Sequence, residues 1–148
     1  MPCDGTMDGY DALKLDNQIC FPLYVCSKEI IRKYHPYLDP LGITYTQYIT
    51  MMALWEKGDM TIKDLGSELH LDSGTLTPLV RKMEEKGFVD RIRDPDDERS
   101  VIVKVTSEGM GLRDKVKHVP ESVGRCMELP PEDVKTLYML LRKLMGTF

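Results

Sequence analysis

The sequence predicts a mainly α-helical chain with one small β-hairpin, an α+β fold class. Three observations point there. Apolar residues recur at helical spacing along most of the chain, capping and stop signals bracket those stretches, and the period shortens toward two only between residues 88 and 106. At 148 residues the chain has the length of one domain, which we expect to span residues 1–148. No run of about eighteen apolar residues exists, so no membrane partner is expected. The opening MPCDGTMDGYDALK has no basic region followed by an apolar one, which argues against a secretory signal and makes a cytoplasmic location the expectation.

Residues 1–14, polar and rich in Gly and Asp, read as a frayed tail. A helix is predicted over residues 15–34, with Asp16 a candidate cap and Pro22 expected to kink or loosen its early part. HPYLDPLG, residues 35–42, reads as a turn from its two prolines and glycine. A second helix is predicted over residues 46–57, with Tyr48, Met51, Met52 and Trp55 on one face and Gly58 as its stop. Residues 61–70 give a short third helix opened by Thr61 and Asp64, a variant capping box. In LDSGTLTPLVRKMEEKG, residues 71–87, Asp72 or Ser73 can cap a fourth helix that Gly87 ends. FVDRIR and RSVIVKVT then form two short strands around the turn-rich DPDDE. A helix over residues 107–118 should stop at Pro120, followed by a looser segment over residues 117–130. The last helix, residues 131–145, carries Val134, Leu137, Tyr138, Leu141, Leu144 and Met145 at near-heptad positions.

Two helices joined by a short turn, the second followed by a hairpin, form the plan of a winged helix-turn-helix, whose second helix enters the DNA major groove while the wing reaches the backbone or minor groove. The exposed positions of the helix from Ser73 are Ser73, Thr75, Thr77, Pro78, Arg81 and Lys82, and Arg99 stands just past the acidic wing tip. The net charge of −4 argues mildly against nucleic acid. Between residues 75 and 104 the basic groups Arg81, Lys82, Lys86, Arg91, Arg93, Arg99 and Lys104 are matched by as many acids, so only their placement can decide. The long flanking helices suggest a homodimer, which sets two reading helices roughly 34 Å apart.

Four cysteines, Cys3, Cys20, Cys26 and Cys126, include no C-x-x-C pair, and with three scattered histidines they offer no metal site; no cofactor is expected. Cys20 falls near a helix start, where the positive end of the helix dipole favours an anion, and Tyr24 shares its face four residues on. Cys26 lies on another face and reads as core, and Cys3 sits on the tail. The neighbours Phe21, Leu23, Tyr24 and Trp55 give the Cys20 thiol an apolar and aromatic surround. No Ser/His/Asp constellation or phosphate loop supports an enzyme.

The segments LDNQICFPLY, LDPLGITYTQYI, LWEKGDMTIKDLG, LDSGTLTPLVRKMEEKGFV and RDPDDERSV resemble the MarR family of winged-helix repressors, in its organic-hydroperoxide-sensing branch of OhrR-type and SarZ-like regulators. The resemblance implies a dimeric, redox-sensing repressor of double-stranded operator DNA. It places the reactive cysteine at Cys20, two tyrosines that hold it at Tyr34 and Tyr45, a possible resolving cysteine at Cys126, and the D-x-R of the wing at Asp97 and Arg99. Residues 15–45 and 107–148 would then dimerise and 46–106 read DNA. Tyr34 cannot reach Cys20 in its own chain, since fourteen residues of helix span about 21 Å, so two copies of the first helix would cross antiparallel and share the site. Two rivals stay open: a regulator released by a small aromatic ligand rather than by oxidation, and a thiol peroxidase.

Overall fold

The computed structural model describes residues 9–148. Seven helices and three strands follow in order: α1 (Cys20–Leu38), α2 (Tyr45–Lys57), β1 (Met60–Thr61), α3 (Ile62–Leu69), α4 (Ser73–Glu85), β2 (Val89–Arg93), β3 (Val101–Val105), α5 (Ser107–Val116), α6 (Val119–Arg125) and α7 (Pro131–Met145). Single 3-10 turns at Asp11–Leu13, Leu15–Asn17 and Asp39–Leu41 complete the described residues.

The amino-terminal region departs from expectation. Asp16 sits in a 3-10 turn and caps nothing; α1 begins at Cys20 after Ile19, without a side-chain cap. Pro22 is thereby the third residue of the helix, where a missing N–H has no in-helix partner to lose, so no kink follows. Asn17 Nδ2 donates to the Asp11 carbonyl at 2.9 Å, tying part of the expected tail back onto the chain. Residues 1–8, Cys3 among them, lie outside the described residues. The predicted turn over residues 35–42 is also corrected: α1 runs through Pro36 to Leu38 before the 3-10 turn takes over. Pro36 removes only the single bond to the Arg32 carbonyl, and Leu38, 1% exposed, anchors the helix end in the core.

Helices α2 to α5 are capped as their sequences suggest. Thr44 and Gln47 form a reciprocal capping box at the start of α2. Thr61 accepts from the Asp64 backbone N–H at 3.0 Å and donates its hydroxyl to the Asp64 carboxylate at 2.8 Å. The expected two-stranded hairpin is a three-stranded antiparallel sheet of order β1-β3-β2, because Met60 and Thr61 pair with Val103 and Ile102. In β2 and β3 the register sets Val89 opposite Val105, Arg91 opposite Val103 and Arg93 opposite Val101.

One core joins these elements. Tyr48, Met51 and Leu54 of α2, Leu65 of α3, Leu76, Val80 and Met83 of α4, and Val89 and Val103 of the sheet are all buried together. Gly109 lets α5 close on the sheet, since a Cβ there would stand 2.1 Å from the Phe88 carbonyl oxygen. Trp55 Nε1 donates to the Gly109 carbonyl at 3.1 Å, which commits that indole to packing α2 on α5 rather than to a peroxide site. Pro120 does not stop a helix as predicted; it lies in the first turn of α6, whose Val119 and Val123 are buried, so the segment over residues 117–130 is half helix rather than loop. By contrast α7 buries none of its residues, and Leu38 is the one buried residue of α1.

Candidate nucleic-acid interface and thiol site

The helix-turn-helix is set by Gly66. A Cβ at that position would meet the Leu71 carbonyl oxygen at 2.7 Å, so only glycine lets α3 turn this tightly into α4. Asp72 then caps α4: one carboxylate oxygen accepts from the Thr75 backbone N–H at 2.8 Å and the other from the Thr75 hydroxyl at 2.9 Å. The Thr75 backbone bond, helped by that hydroxyl, holds the Asp72 carboxyl below its ordinary range. With Leu76, Val80 and Met83 turned inward, Ser73, Thr75, Thr77, Pro78, Arg81 and Lys82 are exposed as predicted. The Thr75 hydroxyl proton is already committed to Asp72, which leaves its oxygen as an acceptor. Arg81 pairs with Glu85 at 3.4 Å, whereas Lys82 enters no ion pair among the described residues.

The wing completes this face. Asp97 accepts the Arg99 backbone N–H at 3.1 Å and its carbonyl accepts from Ser100 at 2.8 Å, so its role in the chain is to fold the tip that presents Arg99. Arg99 is exposed and unpaired among the described residues. A groove of about 610 Å³ lies between reading helix and wing, lined by Ser73 and Thr77 on one side, Arg91 and Arg99 on the other, and Lys63 on its floor. Lys63 and Arg91 were not singled out by sequence. Arg91 is clamped by Glu84, with Nε at 2.7 Å from one carboxylate oxygen and its backbone N–H at 3.2 Å from the other. That hydrogen bond lowers the Glu84 carboxyl. Small hydroxyls at the helix start and cations on the flanks suit a phosphate backbone approached by a reading helix.

The second site is built on α1 and α2. Cys20 is the first residue of α1 and its thiol is exposed, at the end of a 19-residue helix where the aligned peptide dipoles place positive charge. Tyr24 is exposed one turn on, its ring centroid 5.5 Å from Lys28 Nζ. Tyr34 and Tyr45 do come together, with ring centroids 4.9 Å apart. Sequence set Tyr48 on one face of the second helix; it is buried, and it also joins the pair as a third phenol, 5.6 Å from Tyr34 and 6.3 Å from Tyr45. Burial raises Tyr34, with Tyr45 adding to it, and raises Tyr45; Tyr48 is pushed up to about 12 by burial, then by its two neighbours. All three therefore stay protonated hydrogen-bond donors at neutral pH. A cavity of about 320 Å³ opens beside them, lined by Ile31, His35, Leu38, Ile43 and Tyr45. Cys20 and the phenols occupy opposite ends of α1 and do not meet within one chain.

Of the remaining cysteines, one departs from expectation. Cys26 is exposed rather than core. Cys126 caps the end of α6, five residues ahead of α7, exposed and with its thiol donating to the Ser122 carbonyl at 3.4 Å. Among the described residues no group of three His, Cys, Asp or Glu side chains could hold a metal ion, and no helix is long and apolar enough to cross a membrane.

A helix-turn-helix with a three-stranded wing, flanked by α1, α5 and α6 that reach the core and by α7 that stays outside it, defines a winged-helix DNA-binding regulator. The chain belongs to the MarR family, whose profile matches residues 43–101, and the family is one of transcriptional regulators, not enzymes. Over 138 residues it is 42% identical to the organic hydroperoxide resistance transcriptional regulator of Bacillus subtilis, covering 93% of this chain and 94% of that one. It is 38% identical to the HTH-type transcriptional regulator SarZ of Staphylococcus haemolyticus, covering 89% and 90%. Among solved structures, reduced AbfR bound to DNA superposes with a TM-score of 0.77 at 31% identity, covering 95% of this chain and 98% of that one. These similarities place the chain beside the organic hydroperoxide resistance and SarZ regulators within the family.

Proposed function

We propose that the chain is a cytoplasmic, homodimeric repressor that binds palindromic operator DNA and releases it when Cys20 is oxidised by an organic hydroperoxide. One arrangement carries this reading. An exposed sulfur stands at the start of α1 among exposed Ile19, Phe21 and Tyr24, while near the far end of the same helix Tyr34 packs against Tyr45 of α2, which lines a mostly apolar cavity. Antiparallel crossing of two copies of α1 brings each sulfur to the other's phenols. Tyr34 and Tyr45 then donate to the thiolate, and the cavity lined by Ile31, Leu38 and Ile43 accepts the alkyl group of the peroxide. Residues 46–106 read the DNA, and residues 15–45 and 107–148 join the two chains.

The chemistry balances without a cofactor. The Cys20 thiolate attacks the distal peroxide oxygen, the O–O bond breaks, sulfur is oxidised to a sulfenic acid and the alkoxide leaves as an alcohol. The Cys126 thiol condenses with the sulfenic acid to form a disulfide and water. A bridged pair needs its α-carbons within about 7 Å, so closing it draws helices together and moves the reading heads off their spacing.

Binding of a palindromic operator, followed by fluorescence anisotropy with and without cumene hydroperoxide, tests this. We expect Cys20→Ser to bind DNA and ignore the peroxide, and Cys126→Ser to form the sulfenic acid without a disulfide. A Cys20→Ser protein that still releases DNA on peroxide treatment removes the thiol reading. The same apolar cavity would also suit a small aromatic effector, and release by such a ligand in Cys20→Ser would favour that second reading.

A further inference from the structure

We propose that Lys86 is a positioning residue that links the phenol site to the reading helix, an inference that rests on the function proposed above. Lys86 caps the carboxyl end of α4, where its cation also meets the negative end of the helix dipole. Its exposed ammonium donates both to the Gly42 carbonyl oxygen and to Gln47 Oε1 at the start of α2, the latter at 3.2 Å. These two acceptors bracket the corner between α1 and α2. Gln47 is 3% exposed, one of two buried polar side chains among the described residues, and the same Oε1 accepts the Thr44 backbone N–H at 3.2 Å. Tyr45 directly follows that cap as the first residue of α2, and its ring packs tilted against Tyr34.

A chain of contacts thus runs from phenol to groove. A shift of Tyr45 moves the Thr44–Gln47 box, the box and the Gly42 carbonyl carry Lys86, and Lys86 ends the helix that presents Ser73 to Lys82. No side chain of this link touches the DNA-facing groove or the thiol. Its three hydrogen bonds converge on one buried amide oxygen and one corner carbonyl, so the link holds one arrangement and resists gradual slippage. Lys86 transmits the oxidised state of the thiol by holding the end of α4 to the corner that carries the sensing phenol.

The test compares wild type, Lys86→Met, which keeps the aliphatic stem, and Lys86→Arg, which still donates. Each full-length protein is measured for operator Kd before and after cumene hydroperoxide, for sulfenic acid at Cys20 with a dimedone probe, and for Tm. We expect Lys86→Met to be labelled at the wild-type rate and to keep its reduced-state affinity, while the ratio of oxidised to reduced Kd shrinks by at least about fivefold, the lower end of ordinary coupling between sites. Lys86→Arg restores the ratio. Full Cys20 oxidation with an unchanged ratio in Lys86→Met overturns the link, as does a parallel loss of reduced affinity and Tm with the ratio intact, which marks a mere prop. A wild type that never releases DNA overturns the redox reading itself, whereas a wild type and a Lys86→Met protein that both release it overturn only the link.

Discussion

A tyrosine that packs like a core residue can also tune a site. Tyr48 is 3% exposed, and its hydroxyl is pushed up to about 12 against an ordinary value of 10.0. A folded state that holds the proton more tightly than the unfolded chain is most stabilised below the unfolded value, and loses that contribution as pH rises through the folded one. The loss therefore falls between about pH 10 and 12 and amounts to roughly 2 kcal/mol. Tyr48→Phe should flatten this alkaline decline, checked by urea unfolding at pH 8 and pH 11; an unchanged slope would assign the decline to Tyr34 and Tyr45. The opposite sign holds for Asp72 and Glu84, whose lowered carboxyls contribute above their ordinary values and cease to do so as pH falls through the folded ones. Sequence could name Tyr34 and Tyr45 through a family pattern, and it could see Tyr48 only as one member of an apolar stripe. That a buried phenol packs tilted against two others depends on how α1 crosses α2, which no local spacing encodes.

The elements that sequence reads best are those whose signals are local. The boundaries of α4 follow from Asp72 and Gly87, and its inner face from Leu76, Val80 and Met83. The start of α1 was misplaced because Asp16 looks like a cap but spends itself in a 3-10 turn, and helix does not begin until Cys20. A two-residue strand such as β1 has no alternation to read; it exists because β3 offers a free edge to Met60 and Thr61. Pro36 and Pro120 both look like breaks in sequence, yet at Pro36 buried Leu38 outweighs a single lost hydrogen bond, and Pro120 in the first turn of α6 loses none. The turn at Gly66 is the feature on which the reading helix most depends. Gly66→Ala sets a methyl carbon against the Leu71 carbonyl oxygen at 2.7 Å, backbone that cannot rotate away. We expect a loss of about 1–3 kcal/mol in stability and a larger loss in operator affinity than in helix content, measured by thermal unfolding and anisotropy. Operator affinity equal to wild type would show that α3 can be re-angled at no consequence to reading.

On the scale of the whole molecule, the described chain leaves its longest apolar face unused. Leu137, Tyr138, Leu140, Leu141, Leu144 and Met145 of α7 are all exposed, as are Leu15, Ile19, Phe21 and Tyr24 at the other end of the chain. Contiguous apolar surface of this kind on a protein rich in charge marks a surface for another chain. A second copy also answers the electrostatic objection. The net charge of −4 belongs to the entire surface, while Lys63, Arg91 and Arg99 line the groove between α4 and the wing with Lys82 exposed on α4, and pairing doubles the cations presented to DNA. Two half-sites held by one dimer bind more tightly than either alone by about 10²–10⁴, because the second contact is made at high effective concentration. Leu137→Glu with Leu141→Glu places carboxylates in the α7 face, so sedimentation should show monomers and operator affinity should fall by at least about a hundredfold while the helix-turn-helix stays folded by circular dichroism. The logarithmic slope of affinity against salt should also drop toward half, since each monomer releases only its own counterions. A dimer that survives both carboxylates would move the dimer contact away from α7, and would remove the lever that the proposed Cys20–Cys126 bond needs to shift the reading heads.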